Sequence, residues 1–146
     1  MSDRAEALRI RLARPEERLD LEALQRRASL AFPEYRKELE DHPDAIALPA
    51  EQIEQGQVVV AEIGGRVAGF AAVVGGELDG LFVEPDLWRQ GIGAALVGEA
   101  AHEARRHGLT LSVTASPSAR DFYEHAGFSV EGETETRFGP ALRMSR

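Results

Sequence analysis

The first third of the chain spaces its apolar residues as a strand followed by helices would. Residues 8–12 alternate leucine or isoleucine with arginine, a pattern typical of a half-buried strand. Pro15 and the two glutamates after it suit the first turn of a helix, which the apolar spacing extends to about Ala31. A second short helix is predicted over residues 34–41, and a loop with one helical turn over residues 44–55.

Three strands in succession are predicted in the middle of the chain. Apolar runs at 58–63 and 66–74 are separated by Gly64-Gly65, and the next run, 77–83, follows Gly75-Gly76. Because paired glycines suit tight two-residue turns, these strands are expected to pair antiparallel as hairpins.

A long amphipathic helix is predicted to begin near Gly91 and to end at Gly108. Its apolar residues recur at helical spacing and are expected to face the core: Ile92, Leu96, Val97, Ala100, Ala101 and Ala104. Residues 109–115 are predicted to be a strand parallel to its predecessor, because a whole helix separates the two.

The C-terminal part is predicted to add a short helix over 118–126 and two strands over 128–134 and 141–145, with Gly139-Pro140 between them. Residues 1–146 are therefore expected to form one α/β domain. It would contain a mixed, mostly antiparallel sheet with one parallel strand pair, flanked by about four helices.

The segment before the long helix has the chemistry of an anion site. Pro85 ends the preceding strand after Val83. Gly91 and Gly93 place no Cβ in front of the first N–H groups of the helix, which lack intrahelical partners and carry the positive end of the helix dipole. Such a helix N-terminus suits phosphate groups, and a bulky residue in place of Gly93 is expected to block only their approach.

Two common nucleotide-binding motifs do not fit this segment. A Walker loop ends in Gly-Lys-Ser/Thr, whereas Lys37 is the only lysine of the chain. A dinucleotide fingerprint needs a third glycine where Leu96 stands, and an acidic residue about 20 positions on. Residues 111–113 are Leu-Ser-Val instead, so a Rossmann-type nucleotide binder is disfavoured.

Two motifs lie at a characteristic separation: Val83-x-Pro85 with Gln90-Gly91-Ile92-Gly93-x-x-Leu96, and Phe122-Tyr123-x-x-x-Gly127-Phe128. Together they resemble the GNAT superfamily of acyl-CoA-dependent N-acyltransferases, over nearly the whole chain. The resemblance implies transfer of an acetyl or other short acyl group from acetyl-CoA, the cosubstrate, to a primary amine that attacks directly in a ternary complex. It also implies that the parallel strands splay apart where acyl-CoA binds.

The resemblance assigns most of the acyl-CoA site to the strand end and the glycine loop. The Leu81 N–H would polarise the thioester carbonyl, and the pantetheine arm would run along Phe82 and Val83. The pyrophosphate would sit on N–H groups of Arg89, Gln90, Gly91, Ile92, Gly93 and Ala94. Two residues depart from the family pattern: Trp88 replaces the usual Arg or Gln, and Ser116 replaces an Asn that contacts the pantetheine arm or the acceptor.

Tyr123 is the predicted general acid. In relatives, the tyrosine at this place protonates the departing CoA thiolate. The alternative is that Phe122 and Tyr123 anchor their short helix to the sheet, a role that suits Phe122 well. The first two helices are expected to cover the acceptor, with Phe32 and Tyr35 favoured as core residues over pocket residues.

Glu77 is the predicted base. It lies where histone-acetylating relatives carry a glutamate that takes the amine proton, and Asp79, two residues on, is expected to face the same side. A solvated hairpin edge is an equally good interpretation of the two carboxylates. Asp79 and a water chain therefore remain alternatives to Glu77.

The composition of the chain argues against several classes of ligand and partner. The net charge of −8 argues against nucleic acid, and the absence of cysteine excludes thiolate metal sites. His102 and His107 lie about 140° apart around one helix, so no metal is expected. No apolar run is long enough to span a membrane, and the first six residues do not resemble a signal segment.

A cytoplasmic protein that acts on a small-molecule or peptide amine is therefore expected. The sequence leaves open the acceptor and whether a homodimer forms. A non-catalytic acyl-CoA-binding or partner-binding module on the same scaffold is the alternative function.

Overall fold

The computed structural model describes residues 7–146, so the N-terminal segment Met1–Glu6 lies outside the described part of the expected single domain. Within that part there are seven strands: β1 Leu8–Leu12, β2 Val58–Ile63, β3 Arg66–Val74, β4 Glu77–Val83, β5 Ser112–Ala115, β6 Ser129–Thr136 and β7 Gly139–Ser145. There are five α-helices: α1 Arg18–Leu30, α2 Pro33–Asp41, α3 Ala50–Glu54, α4 Ile92–Arg106 and α5 Arg120–His125.

The strands form one sheet in the order β1-β2-β3-β4-β5-β7-β6. Every neighbouring pair is antiparallel except β4 and β5, which confirms the predicted mixed sheet. The parallel pair is joined at a single position, Glu77 opposite Ser112. Beyond it the two strands no longer pair, so the end of β4 has a free edge.

Each face of the sheet carries its own apolar cluster. On one face α4 packs with all six residues that its periodicity predicted as inward, and each of them is buried. On the other face α1 contributes Leu21 and Leu24 to a cluster that includes Phe70 and Phe82. Residues 7–146 contain no helix that is both long and apolar enough to cross a bilayer.

A β-bulge in β4 separates Glu77 and Asp79. The register with β3 passes from Val73 opposite Leu78 to Ala72 opposite Gly80, which leaves Asp79 unpaired. A sequence argument from strict two-residue alternation does not apply across such a bulge. The two carboxylates accordingly engage different neighbours in the structure.

The boundaries differ from the predictions in several places. The predicted helical turn within residues 44–55 is α3, which brings the α-helices of the described chain to five. The strand β5 begins at Ser112 rather than at residue 109, and β7 includes Gly139 and Pro140. Pro33 is the first residue of α2, which is where proline is best tolerated in a helix. Since β1 is an edge strand, Leu12 remains 58% exposed although it follows the alternating pattern.

Candidate active site

A cavity of about 540 Å³ opens where β4 and β5 cease to pair. Its walls come from the end of β4, the start of α4, the end of β5, α5 and the α1–α2 connection. Ten of the residues predicted for the site line it: Leu81, Phe82, Val83, Arg89, Gly91, Ile92, Gly93, Ala94, Ser116 and Tyr123. Gln90, although in the same loop, and Glu77 do not line it.

The N-terminus of α4 presents unpartnered donors to this cavity. Gly91 is the N-cap with φ 84°, a left-handed conformation that glycine adopts without strain. No side chain caps the helix and no acidic residue stands in its first turn. The first intrahelical bond runs from Ala95 N to Gly91 O at 3.0 Å, so the three N–H groups before it are free for a ligand. The free N–H donors and the positive end of the helix dipole, which face the cavity, are suited to binding a phosphate group.

Gly93 serves packing as well as access. A Cβ at this position would lie 3.1 Å from the Phe122 ring, closer than side chains normally approach. The expectation that replacing Gly93 blocks only the approach of a ligand is therefore wrong, because the substitution would also displace Phe122.

The free edge of β4 points its backbone groups into the cavity. Glu84 N donates to Ala68 O at 2.8 Å, towards β3. Because backbone groups alternate in direction along a strand, those of Leu81 and Val83 point away from β3. The indole N–H of Trp88 donates to the Val83 carbonyl at 2.8 Å, and so binds one of these groups.

Tyr123 is both a core residue and a cavity residue. It is only 9% exposed, and the Phe122 and Phe128 rings contact it edge-on with centroids at 5.0 and 5.2 Å. Burial raises the pKa of its phenol to about 12, so the hydroxyl is protonated at neutral pH. Within residues 7–146 no group hydrogen-bonds this hydroxyl. Phe122, expected to be the anchor of the helix, is 40% exposed instead.

Glu77 lies outside the cavity wall in an ion pair. Arg143 Nη1 donates to Glu77 Oε2 at 2.7 Å and to the Thr114 hydroxyl oxygen at 2.7 Å. Of these three residues only Thr114 lines the cavity. Asp79 Oδ2 accepts a hydrogen bond from Gln52 at 3.1 Å, so neither carboxylate lies beside Tyr123.

The opposite wall of the cavity comes from α2 and its flanks. Phe32, Tyr35 and Leu39 line it, so the two aromatic residues favoured as core face the cavity. The Ser118 hydroxyl donates to Glu34 Oε1 at 3.2 Å and so joins the start of α2 to the turn before α5. The sequence analysis did not predict that Thr114 lines the cavity, nor the contacts that Trp88 makes. For Trp88, its position beside the glycine loop was the only indication in the sequence.

A second cavity, of about 730 Å³, lies between the C-terminal half of α4 and the β1–β2 edge. It is larger, but none of the predicted site residues lines it. Nor does the described part of the chain contain a cluster of ligating side chains that could hold a metal ion. The uncapped helix and Tyr123 both belong to the smaller cavity, which is therefore the candidate active site.

Known proteins resemble this chain in sequence and in fold. A sequence model of the acetyltransferase (GNAT) domain matches residues 33–144. The peptidyl-lysine N-acetyltransferase YjaB of Salmonella typhimurium is 41% identical over 68 residues. That match covers 46% of each chain, so this protein spans about half the length of that curated relative.

Two solved structures have the same fold. The apo form of YjaB from Escherichia coli shares 28% identity with a TM-score of 0.72, and the match covers 95% of this chain and 97% of that one. The PaiA N-acetyltransferase of Thermoplasma acidophilum, solved with coenzyme A, shares 19% identity with a TM-score of 0.74, covering 96% and 98%. With the family match over most of its length, this chain belongs to the GNAT acetyltransferase family.

Proposed function

We propose that this protein transfers an acetyl group from acetyl-CoA to a primary amine. One observation carries the proposal: the uncapped N-terminus of α4 and the buried Tyr123 line the same cavity. The first suits the phosphates of coenzyme A, and the second is a protonated acid at neutral pH.

Different groups of the protein would bind acetyl-CoA and catalyse the transfer. The N–H groups at the start of α4 hold the phosphates. The edge of β4 from Leu81 to Val83, apart from the Val83 carbonyl that Trp88 binds, orients the pantetheine arm. The Leu81 N–H polarises the thioester carbonyl, and one such donor can be worth about 3 kcal/mol in the transition state. Tyr123 donates its proton to the sulfur as the carbon–sulfur bond breaks, and thiol and amide are the products.

The amine must lose a proton before or during its attack. A primary amine with a pKa near 10.4 requires about 4.6 kcal/mol for deprotonation at neutral pH. Because Glu77 Oε2 already accepts a hydrogen bond from Arg143 outside the cavity wall, we favour water as the proton acceptor. Glu77 then acts at most through Arg143 and Thr114.

We further propose that the acceptor is a lysine side chain of a peptide. The similarity to a peptidyl-lysine N-acetyltransferase supports this choice. So does charge, since α2 beside the cavity carries four acidic and two basic residues, and the whole chain has a net charge of −8. A helix with an excess of acidic residues beside the cavity attracts a cationic acceptor.

Release of free thiol from acetyl-CoA tests the proposal. The acceptors would be blocked lysine peptides, peptides with free N-termini, polyamines, amino acids and aminoglycosides. We expect the blocked lysine peptides to give the highest kcat/KM. Thermal stabilisation by acetyl-CoA without thiol release for any amine would identify a non-catalytic binding module.

A further inference from the structure

The α1–α2 connection meets the loop before α4 through two aromatic rings. The centroids of Phe32 and Trp88 are 5.1 Å apart and their planes are inclined by 30°. The Trp88 ring is fixed to the end of β4, because its N–H donates to the Val83 carbonyl at 2.8 Å. We name the contact between the two rings the Phe32–Trp88 clasp.

The clasp matters because α2 has little other anchorage. Of its nine residues, all of which the structure describes, only Leu39 is buried. The neighbouring helix α1 buries three residues, and its Arg27 makes two hydrogen bonds to Glu84, at 3.1 and 2.7 Å. The position of α1 is therefore secured independently, whereas the start of α2 is held by Phe32 and by two exposed hydrogen bonds, from Ser118 to Glu34 and from Arg36 to the Leu30 carbonyl.

Trp88 lies in the loop just before the N-terminus of α4, whose N–H groups are proposed to bind the phosphates. The next residue, Arg89, has φ 67° and is the one non-glycine residue within 7–146 in the left-handed region. The free N–H groups of α4 follow three residues later. A ligand that binds this short, tightly turned loop would further restrict the motion of the adjoining Trp88 and, through the ring contact, that of Phe32.

On the basis of the proposed function, we propose that Trp88 is a positioning residue that couples the two halves of the site. Binding of coenzyme A at the loop is transmitted through the Phe32–Trp88 clasp to α2. Tyr35 and Leu39, which line the cavity from α2, are thereby held in place for the acceptor. The Arg or Gln that the resemblance leads one to expect at position 88 offers no ring to Phe32.

Hydrogen exchange of the α2 amides with and without coenzyme A tests the coupling without an acceptor. In the wild type we expect coenzyme A to slow exchange over residues 33–41 by about fivefold, at the lower end of typical coupling between sites. Phe32→Leu and Trp88→Gln should lose this slowing, whereas Trp88→Phe, which keeps a ring, should retain most of it.

Phe138→Leu is the matched control. Phe138 contacts His42 just past the other end of α2, with centroids 6.3 Å apart, so the same substitution removes an aromatic contact away from the loop. It should preserve the slowing caused by coenzyme A. Loss of the slowing in Phe138→Leu as well would overturn the assignment to Trp88.

Fluorescence gives a second readout, since Trp88 is the only tryptophan of the chain. Phe32→Leu should raise the acrylamide quenching constant of the apo protein about twofold, and Phe138→Leu should leave it unchanged. An unchanged quenching constant in Phe32→Leu means that the clasp does not form in solution, and overturns the proposal.

Thermal shifts with coenzyme A separate failure of the coupling from failure of the proposed function. A higher Tm with coenzyme A but no change in α2 exchange in the wild type overturns the coupling alone. No change in Tm overturns both, because coenzyme A then does not bind.

Discussion

The two walls of the cavity are built in different ways. The proposed acyl-CoA wall comes largely from one continuous segment, the end of β4 to the first turn of α4. The proposed acceptor wall lies on α2 and its flanks. Contacts between residues far apart in sequence join this wall to the rest of the protein. Glu34 and Ser118 are 84 residues apart, and Asp44 and Arg137, just beyond α2, are 93 apart.

The walls also differ in how firmly they are held. The acyl-CoA wall begins a helix with six buried residues, whereas α2 buries one. The Asp44–Arg137 ion pair has side chains 73% and 50% exposed, and such pairs contribute little to stability. If the proposed roles are right, the substrate common to the family is held by the more firmly packed wall, and the acceptor by the less firmly packed one. Changes to the two walls should therefore have separable effects.

The largest effect should come from Tyr123→Phe, which removes a hydroxyl at the reacting end of the acyl-CoA wall. We expect kcat to fall about 100-fold, because protonation of a fair leaving group falls at the lower end of acid catalysis. Stability should change by less than about 1.5 kcal/mol, and the Kd of acetyl-CoA should hardly move. A kcat within twofold of wild type would make Tyr123 a packing residue.

Gly91→Val should remove acetyl-CoA binding. At a ligand concentration about 100-fold above Kd, the wild type should gain about 2.7 kcal/mol and several degrees in Tm, and this variant should gain neither. Gly56→Val is the matched control, since Gly56 also has a positive φ, 70°, with open space around it. The control should lose similar stability from backbone strain, yet keep the ligand-induced shift. Equal ligand-induced shifts in both variants would disprove the phosphate site.

Two alanine substitutions on α4 test whether the absence of a side chain at Gly93 is needed for packing. Gly98→Ala should raise the free energy of unfolding by about 1 kcal/mol, because its Cβ meets nothing within 4 Å and alanine favours the helix. Gly93→Ala should gain less than about half of that, since its Cβ presses on Phe122. Urea denaturation measures both. If Phe122→Leu does not restore the missing stability in the Gly93→Ala background, the ring is not the cause.

Glu77→Gln should have a small effect on catalysis. If water takes the amine proton, kcat/KM should stay within about threefold of wild type, as it should in the matched variant Asp79→Asn. A general base at this position would instead contribute about 10²–10⁴-fold. A loss of that size in Glu77→Gln alone would restore Glu77 as the base.

The smallest expected effect concerns the dependence of kcat on pH, which should show no decrease at high pH. An ordinary tyrosine would ionise near pH 10 and cease to act as an acid above it. Burial raises the pKa of Tyr123 to about 12, so the acid form persists and kcat should not fall between pH 9 and 11. For folding, the raised pKa means that the contribution of Tyr123 to stability is fully present below pH ~10 and is lost as the pH rises from about 10 to about 12. A decline in kcat near pH 10 that is absent from Tyr123→Phe would contradict this assignment.

Local patterns in the sequence were sufficient for the strand–loop–helix unit and for most of the sheet. The six inward residues of α4 follow from helical spacing alone, and the start of the helix near Gly91 was predicted from the glycines there. The left-handed conformation of Gly91 is one that the absence of a Cβ permits. These features depend on residues close together in the chain, so periodicity and residue type determine them. The resemblance, which was based on this segment together with the motif at residues 122–128, correctly identified the family.

Only the tertiary structure decided where the predicted catalytic side chains lie. Arg143 is 66 residues from Glu77, and no local pattern indicates that it binds this carboxylate. The bulge at Asp79 breaks the alternation from which a shared face was inferred. The Phe32–Trp88 contact likewise joins segments 56 positions apart. Such contacts depend on the order of the strands in the sheet and on where the α1–α2 connection lies, which are properties of the packed chain and not of any short stretch of it.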